Sequence, residues 1–270
     1  MEVVFRSKRR RKLAKEEEHI DYISCLPDTI LRDIISLLPT KNGECTHVFS
    51  SCWCQIWRSA PLNLDLNPDF DVLPIPMYIP TRVILRILST HQGPIHRLSI
   101  PEVYLYYRND HAMILDIWLR FPTVDRLQEL EFQHDRHCRR IPPLPPLPTS
   151  VHCFSSTLRV ASFGHCNFLG GNSANRHHFL LLKNLSLFDV NISESSLHSL
   201  LASCPILESL LLIGQMGCSH IQIVSPTLRS ICVCPGYLNF ELPQLIIDDA
   251  PCLERLLHFQ KFNSMKSPSQ

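Results

Sequence analysis

The sequence predicts an α+β protein in which a small helical unit precedes a curved α/β solenoid of repeated units. Three observations predict this class. Apolar residues at helical spacing lie between prolines in 20–60, and a Leu-x-x-apolar-x-apolar pattern recurs beyond residue 120. A further helical run lies between two copies of that pattern. A hydrophobic fraction of 45% with 19% charged residues supplies a packed core and argues against wholesale disorder.

The helical unit at 20–60 begins with Pro27, which suits a first helical turn because its missing N–H is not needed there. Asp28 complements the positive end of the helix dipole. Pro39 ends this helix, and a second helix is predicted from near Gly43 to Pro61. Two short helices cannot hide all the large apolar side chains of this unit, so we expect another part of the chain or a partner to cover them.

The repeat is marked by a leucine that opens each copy of the pattern. These leucines are Leu127, Leu158, Leu182, Leu207, Leu228 and Leu253. Their spacings of 31, 24, 25, 21 and 25 residues are typical of leucine-rich repeats, in which neighbouring strands share one core. The longest spacing contains the proline-rich tract 141–150. We interpret this tract as a connecting loop, and the alternative is that it binds a proline-reading domain in extended form. An ordinary α/β domain with coincidental spacing is the alternative to the repeat itself.

Alternation within the repeats predicts which side chains face the core. The inward positions are Leu185, Leu187, Leu210, Leu212, Ile231 and Val233. Residues 192–204 predict a helix with Ser193 as a candidate N-cap. Leu197, Leu200 and Leu201 form the inner stripe of that helix.

The chain divides into five predicted regions. They are a basic disordered tail (1–19), the helical unit (20–60), a linker (61–80), the repeat domain (81–260) and a loose C-terminal tail (261–270). The tail is distinct because residues 6–15 hold seven of the 26 basic side chains of a chain whose net charge is only +1.

The basic run in the tail has three interpretations: a nuclear import signal, a solvated tail without a reader, or a weak nucleic-acid patch. Its residues are Lys8, Arg9, Arg10, Arg11 and Lys12. We expect no nucleic acid as a partner, because no aromatic residues are interleaved with these charges. No secretory signal and no membrane span are recognised, so we expect a nuclear or cytoplasmic protein whose 12 cysteines act as small buried hydrophobes.

Enzyme signatures are missing from the sequence. No phosphate-binding glycine loop, zinc-protease His pair or nucleophile elbow occurs, and we predict neither catalysis nor a cofactor. No metal is expected, because Cys52/Cys54 and Cys232/Cys234 have Cys-x-Cys spacing rather than that of a zinc knuckle. The cluster of His134, His137 and Cys138 is better interpreted as a solvated loop. Cys232 and Cys234 share one strand face, which suits buried thiols.

The stretch ISCLPDTILRDIISLLPTKNGECTHVFSSCWCQIWRSAPLNLDL (23–66) resembles the F-box of plant F-box/leucine-rich-repeat proteins and their FBD-type relatives. The stretches LKNLSLFDVNISESSLHSLLASCPILESLLL (182–212), SPTLRSICV (225–233) and LIIDDAPCLERLL (245–257) look like that family's repeats. The resemblance covers about residues 20–260.

The resemblance implies a substrate-recognition adaptor of an SCF-type cullin–RING ubiquitin ligase. Its F-box would dock on the Skp-type subunit, and through it on a cullin, while the repeats hold a protein substrate. The adaptor-binding residues implied by position are Leu26, Pro27, Ile30, Leu31, Ile34, Leu37, Leu38, Pro39, Trp53 and Trp57. About half of them are expected to touch the partner and the rest to build the F-box core.

Two other functions stay open: a ubiquitin-independent repeat scaffold with a decayed F-box, and an enzyme with an unrecognised site. The substrate itself cannot be named from the sequence. Candidate exposed residues of the repeats are Glu129, Glu131, Arg159, Lys183, Asp189 and Arg229.

Overall fold

The computed structural model describes residues 23, 25–38, 51–65, 81–100, 111–133, 144–168, 178–214, 216–235 and 243–258. The helices are α1 (Asp28–Leu37), α2 (Ser51–Ser59), α3 (Thr81–Thr90), α4 (His111–Trp118) and α5 (Glu194–Ala202). Short 3-10 helices cover Pro122–Val124 and Thr149–Phe154. The strands are β1 (Leu62–Asp65), β2 (Ile95–Ile100), β3 (Glu129–Gln133), β4 (Val160–Gly164), β5 (Asn184–Phe188), β6 (Ser209–Ile213), β7 (His220–Val224), β8 (Ser230–Cys234), β9 (Gln244–Asp249) and β10 (Arg255–His258).

Eight strands form one parallel sheet in the order β1-β2-β3-β4-β5-β6-β8-β10. The remaining two, β7 and β9, pair in parallel as a second sheet. Within the large sheet each strand lies beside the preceding one in chain order, which is the arrangement that stacked repeat units produce. The mixture of helix and strand predicted from the sequence is therefore confirmed.

The side chains predicted to point inward are buried at all six positions. The register aligns Leu185 with Leu210 and Leu210 with Ile231, so the repeats contribute to one continuous apolar row. Five of the six leucines that open a repeat are also buried, and Leu253 is half-buried. The repeat pattern thus marks the core of the large sheet.

Helix α5 confirms the helix predicted at 192–204. The Ser193 hydroxyl oxygen accepts a hydrogen bond from the Ser196 backbone N–H at 3.2 Å, as an N-cap does. Leu197 and Leu201 are buried, and Leu200 packs half-buried against the same core.

The strand–helix–strand unit predicted from this segment does not extend to the last repeats. Strand β7 lies between β6 and β8, and β9 lies between β8 and β10. Ile221 and Ile223 of β7 alternate with exposed residues and join the main core. Because β-branched residues at period two fit a strand better than a helix, these connections form a second sheet.

The helical unit has a small core of its own. Helices α1 and α2 contribute side chains to one buried cluster. Its members are Leu31, Ile35, Trp53, Ile56 and Ala60. The second helix, predicted from Gly43, is described over Ser51–Ser59, and residues 39–50 lie outside the described part of the chain.

The predicted linker at 61–80 is wrong over Leu62–Asp65, which form β1 and pair in parallel with β2. Leu62 and Leu64 are buried in the main core, whereas Asn63 and Asp65 alternate to the other face of the strand. The Asn63 side-chain amide donates a hydrogen bond to the Ser36 carbonyl of α1. Asn and Asp are depleted in strands, so the composition of this segment did not indicate a strand. These four residues are extended because they pair with β2, which is distant in the sequence. Residues 66–80 lie outside the described part.

The helical unit packs directly on the start of the large sheet. The Arg58 carbonyl at the end of α2 accepts hydrogen bonds from the N–H groups of Gln92 and Gly93, at 3.0 and 3.2 Å. His91 Nε2 lies 3.0 Å from the Ala60 carbonyl oxygen, and the His91 ring meets that of Trp57 edge-on at 5.4 Å. Burial lowers the pKa of His91, although the bond to Ala60 opposes that shift. We therefore expect the His91 imidazole to be uncharged at neutral pH.

The same turn follows three consecutive strands. His165, Asp189 and Gly214 come directly after β4, β5 and β6 and have positive φ angles of 50°, 48° and 85°. Their N–H groups donate to carbonyls of the next strand at 2.8, 2.7 and 2.9 Å. The left-handed conformation is thus a repeated feature that turns the chain off the sheet.

Gly214→Ala is expected to destabilise the protein by about 2 kcal/mol, since Ala is strained at positive φ. A Cβ atom at this position would also lie 2.1 Å from Asp189 Oδ1. Urea unfolding measures the change. In an Asp189→Gly background the clash is absent and only the backbone strain remains, so the substitution should cost roughly half as much. An equal loss in both backgrounds would contradict a contribution from the clash.

The described part of the proline-rich tract is attached to the repeats. The Leu147 N–H donates to the Asn167 carbonyl at 3.0 Å, and Asn167 returns a bond to Pro145 at 2.8 Å. In the 3-10 helix that follows, the Ser150 N–H donates to Asp116 Oδ1 of α4 at 2.9 Å. These bonds favour the connecting-loop interpretation over that of a free ligand segment.

Asp116→Asn is expected to destabilise the protein by about 1 kcal/mol at pH 7. Burial opposes ionisation of Asp116, but hydrogen bonds from Arg120 and Ser150 outweigh it and lower its pKa to about 2. Since the folded pKa is depressed, the stabilisation is complete above the unfolded pKa and is lost as pH falls toward 2. Urea unfolding of both proteins between about pH 7 and pH 3 should therefore show the difference shrinking with acidity. A constant difference would assign the effect to something other than the charge.

Candidate functional site

Helix α1 carries two apolar stripes, and only one of them is covered. Leu31 and Ile35, one turn apart, are buried in the small core. Leu26, Ile30 and Leu37 are 38%, 45% and 81% exposed. Positions 30 and 37 are two turns apart and so lie on one side of the helix. We call Ile30 and Leu37, together with Leu26 two residues before the helix, the docking stripe.

The ten residues predicted to bind the Skp-type adaptor fall into different environments. Leu26, Pro27, Ile30 and Leu37 are exposed, and Ile34, Leu38 and Trp57 are half-buried. Leu31 and Trp53 are buried, so they support the unit from inside rather than face a partner. Pro39 and the basic run at 8–12 lie outside the described residues. The exposed members stay predictions for a partner contact.

A second candidate surface is the outer face of the eight-stranded sheet, formed by the side chains that alternate away from the core. Register pairs these residues into rows that cross the sheet. The central row is Asp65, Ser99, Glu131, Ser162, Ser186, Leu211, Cys232 and Leu257. A flanking row ends in Phe188, Ile213 and Cys234. Along these two rows the outer face therefore changes from charged and hydroxyl groups to apolar groups, while a third row, through Arg97 and Glu129, ends in Ser209, Ser230 and Arg255.

Charges at the beginning of the outer face are paired. Arg97 lies 3.0 Å from Glu129 and 3.6 Å from Glu131, and the Ser99 hydroxyl donates to Glu131 at 3.2 Å. Glu129 and Glu131 thus lie on the exposed side, as strand alternation suggested. The Arg97, Glu129 and Glu131 side chains are each about two-fifths exposed, so their ion pairs are weak and open to competition by a partner, whereas Ser99 is buried.

Two other candidate residues bind neighbouring repeats at the strand starts. Lys183 Nζ is 2.7 Å from Glu208 Oε1, and Arg229 Nη1 is 2.6 Å from Glu254 Oε1. The hydrogen bond from Lys183 lowers the pKa of Glu208. These residues join consecutive repeats, which is a role the sequence did not distinguish from substrate contact.

The cysteines correct an expectation. Of the eight cysteines whose side chains the structure describes, only Cys166 and Cys204 are buried. Cys232 and Cys234 share a face as predicted, but it is the outer face, and they are half-buried with their sulfur atoms 3.5 Å apart. Ile231 and Val233 fill the core side of that strand, so alternation forces the thiols outward.

The apolar end of the outer face was not foreseen, although the sequence held a signal. In SLLLI at 209–213 the apolar residues are continuous rather than alternating. Leu210 and Leu212 are buried, whereas Leu211 and Ile213 remain half-exposed. A continuous apolar run in a strand indicates two apolar faces.

A cleft lies between α5 and β7. Its walls include Ser193, Ser195, His198 and His220. The Ser219 hydroxyl lies 2.9 Å from His220 Nδ1, but both residues are exposed. No acidic side chain bonds to that imidazole among the described residues, so it has no orienting partner of the kind a catalytic histidine uses.

In the described segments, no three or more His, Cys, Asp or Glu side chains gather into a metal-ligand set. Within the same segments, every helix falls short of the length and apolar content that crossing a bilayer requires.

A parallel sheet whose strands follow chain order, with a leucine two residues before six of its eight strands, defines a leucine-rich-repeat protein. A model of the family described as "FBD-associated F-box protein At5g56370, LRR repeats" matches residues 115–270. The chain therefore belongs to the plant F-box/leucine-rich-repeat family.

Relatives from Arabidopsis thaliana extend the similarity over most of the chain. F-box/LRR-repeat protein At3g03360 is 30% identical over 251 residues, 89% of this chain and 48% of that protein. F-box/FBD/LRR-repeat protein At1g13570 is 26% identical over 240 residues, 87% of this chain and 53% of that protein. The chain spans about half the length of the curated relatives it matches.

Proposed function

We propose that this chain is a substrate-recognition adaptor of an SCF-type cullin–RING ubiquitin ligase. Its F-box, residues 20–60, docks on a Skp-type subunit and through it on a cullin. Its repeats stack as a curved solenoid and hold a protein substrate near the ubiquitin-transfer site. The adaptor has no catalytic residues of its own, and it accelerates transfer by raising the effective concentration of substrate lysines.

The docking stripe is the observation that carries this proposal. Ile30 and Leu37 expose large apolar side chains on a helix whose other stripe is already buried, and Leu26 exposes another just before that helix. Exposed apolar surface of this kind marks protein interaction sites, because its removal from water is favourable. The resemblance of residues 23–66 to an F-box supports a Skp-type subunit as the partner.

The junction at Gly93 supports a role in positioning. Because α2 is hydrogen-bonded to the segment that enters β2, the docking stripe has a fixed direction relative to the sheet. A ligase adaptor needs that relation, since a substrate held at a variable distance would lose the benefit of proximity. A nuclear or cytoplasmic location, with the basic run at 8–12 as an import signal, is part of the same proposal.

Co-purification tests the adaptor role. The full chain and a Skp-type adaptor are co-expressed, beside a Leu26→Ala/Pro27→Ala variant and a Met113→Ala control. Met113 on α4 is 59% exposed and lies outside the docking stripe. Wild type and control should capture the adaptor, and the double variant should lose at least about nine-tenths of the capture. No capture by folded wild-type protein would contradict the proposal and favour a ubiquitin-independent repeat scaffold.

A further inference from the structure

We propose that the outer face of the sheet binds a protein segment with basic side chains at one end and large apolar side chains at the other. This assignment names the substrate chemistry of the repeats and rests on their proposed substrate-binding role. Its basic end lies over β2 and β3 and its apolar end over β6, β8 and β10, which fixes the direction of the segment.

The acidic end of the face determines the charge of the occupant. Glu129 and Glu131 carry two negative charges against the one positive charge of Arg97, which leaves a formal excess of one negative charge in this ion-paired cluster on β2 and β3. A Lys or Arg side chain arriving there gains attraction, whereas a phosphate group is repelled. Charge complementarity thus favours a basic protein segment over nucleic acid or an anionic lipid surface.

The apolar end of the face supplies the affinity. Leu211 and Ile213 of β6 stand beside Cys232 and Cys234 of β8, with Leu257 of β10 48% exposed at the edge. Burial and the neighbouring Cys232 raise the pKa of the Cys234 thiol to about 11, so this thiol stays uncharged near neutral pH. Such a surface gains free energy when apolar side chains displace its water.

The distance between the two ends limits the length of the segment. From β3 to β8 there are four strand-to-strand steps in the sheet order, or about 19 Å. An extended segment crosses that distance in about six residues, and a helix in about 13. Ser162 and Ser186 occupy the middle of the central row, and their small side chains allow the crossing segment to approach closely.

A peptide selection on the full chain tests this assignment. Random peptides of about 16 residues, displayed on phage, are panned on the 270-residue protein, and the consensus peptide is synthesised with a fluorescent label. Binding is then measured by anisotropy for wild type, Leu211→Ser, a Glu129→Gln/Glu131→Gln variant and Leu180→Ser. Leu180 is 51% exposed and lies outside the sheet, so it is the matched control. Thermal melts confirm that each variant is folded.

The expected peptides carry Lys or Arg at one end and Leu, Phe, Ile or Met at the other. Leu211→Ser should weaken binding about tenfold at any salt concentration, because the contact is apolar. The double Gln variant should weaken it about fivefold at roughly 50 mM salt and hardly at all at about 500 mM, where screening removes the charge term. Leu180→Ser should stay within about twofold of wild type.

Several outcomes would overturn the assignment. These are a library without enrichment, enrichment of acidic peptides, and peptide binding that neither outer-face variant weakens. If the wild-type protein is a dimer and the Leu211→Ser variant is a monomer, the outer face binds a second copy of this chain instead. Adaptor capture is scored on the same preparations, so failure at the sheet and failure at the docking stripe give different results.

Discussion

Gly93→Ala is expected to destabilise the protein by about 3 kcal/mol, although an Ala at this position differs from Gly by a single methyl group. A Cβ atom here would lie 2.2 Å from the Ala60 carbonyl oxygen and 2.7 Å from that of Ser59. Both contacts are backbone atoms at the end of α2, so no side-chain rotation relieves them. The helical unit must instead move away from the sheet, and the hydrogen bonds to Arg58 are lost with it.

Thermal unfolding measures this effect, and the midpoint should fall by roughly 6–12 °C. Gln92→Ala, at the exposed neighbouring residue, is the control and should change stability by less than about 0.5 kcal/mol. A Gly93→Ala protein that melts within about a degree of wild type would show that the junction is looser than the distances indicate.

Phe163→Ala is expected to cost about 4 kcal/mol of unfolding free energy. The Phe163 side chain is buried in the main core, with its ring 5.3 Å from that of Phe132 and 6.1 Å from that of Phe168. Removal of the ring leaves a cavity between β3 and the segment after β4, and neighbours held by the parallel sheet cannot close it.

Urea unfolding of Phe163→Ala is compared with that of Ser162→Ala, one residue away on the outer face. The serine variant should lie within about 0.5 kcal/mol of wild type, because its side chain leaves no cavity in the core. A loss below about 1 kcal/mol for Phe163→Ala would mean that Phe163 and its aligned neighbours Phe132 and Leu187 do not form the shared core of the repeats.

Local patterns made much of the fold predictable. Leu185 and Leu187 sit at period two within a strand, and their burial depends only on which face meets the core. The α5 helix was predictable for the same reason, since its cap at Ser193 and its apolar stripe lie within one short stretch. Information that a few neighbouring residues contain is available before folding.

Features set by distant contacts were not predictable. Strand β1 is extended because β2 pairs with it, some 30 residues further along the chain. Likewise, Ile30 and Leu31 are adjacent and equally apolar, yet only Leu31 reaches the core that α2 completes. The outer face was hidden because its rows appear only when the register of eight strands is known.

The most direct test of the central claim is a titration that compares two apolar residues of similar exposure. Ile30→Glu and Met113→Glu proteins are each titrated with a purified Skp-type adaptor, after melts confirm that both are folded. We expect Ile30→Glu to weaken binding at least about 100-fold, because a charge would be buried at the interface, and Met113→Glu to bind within about twofold of wild type. Equal affinity for all three proteins would contradict docking through α1.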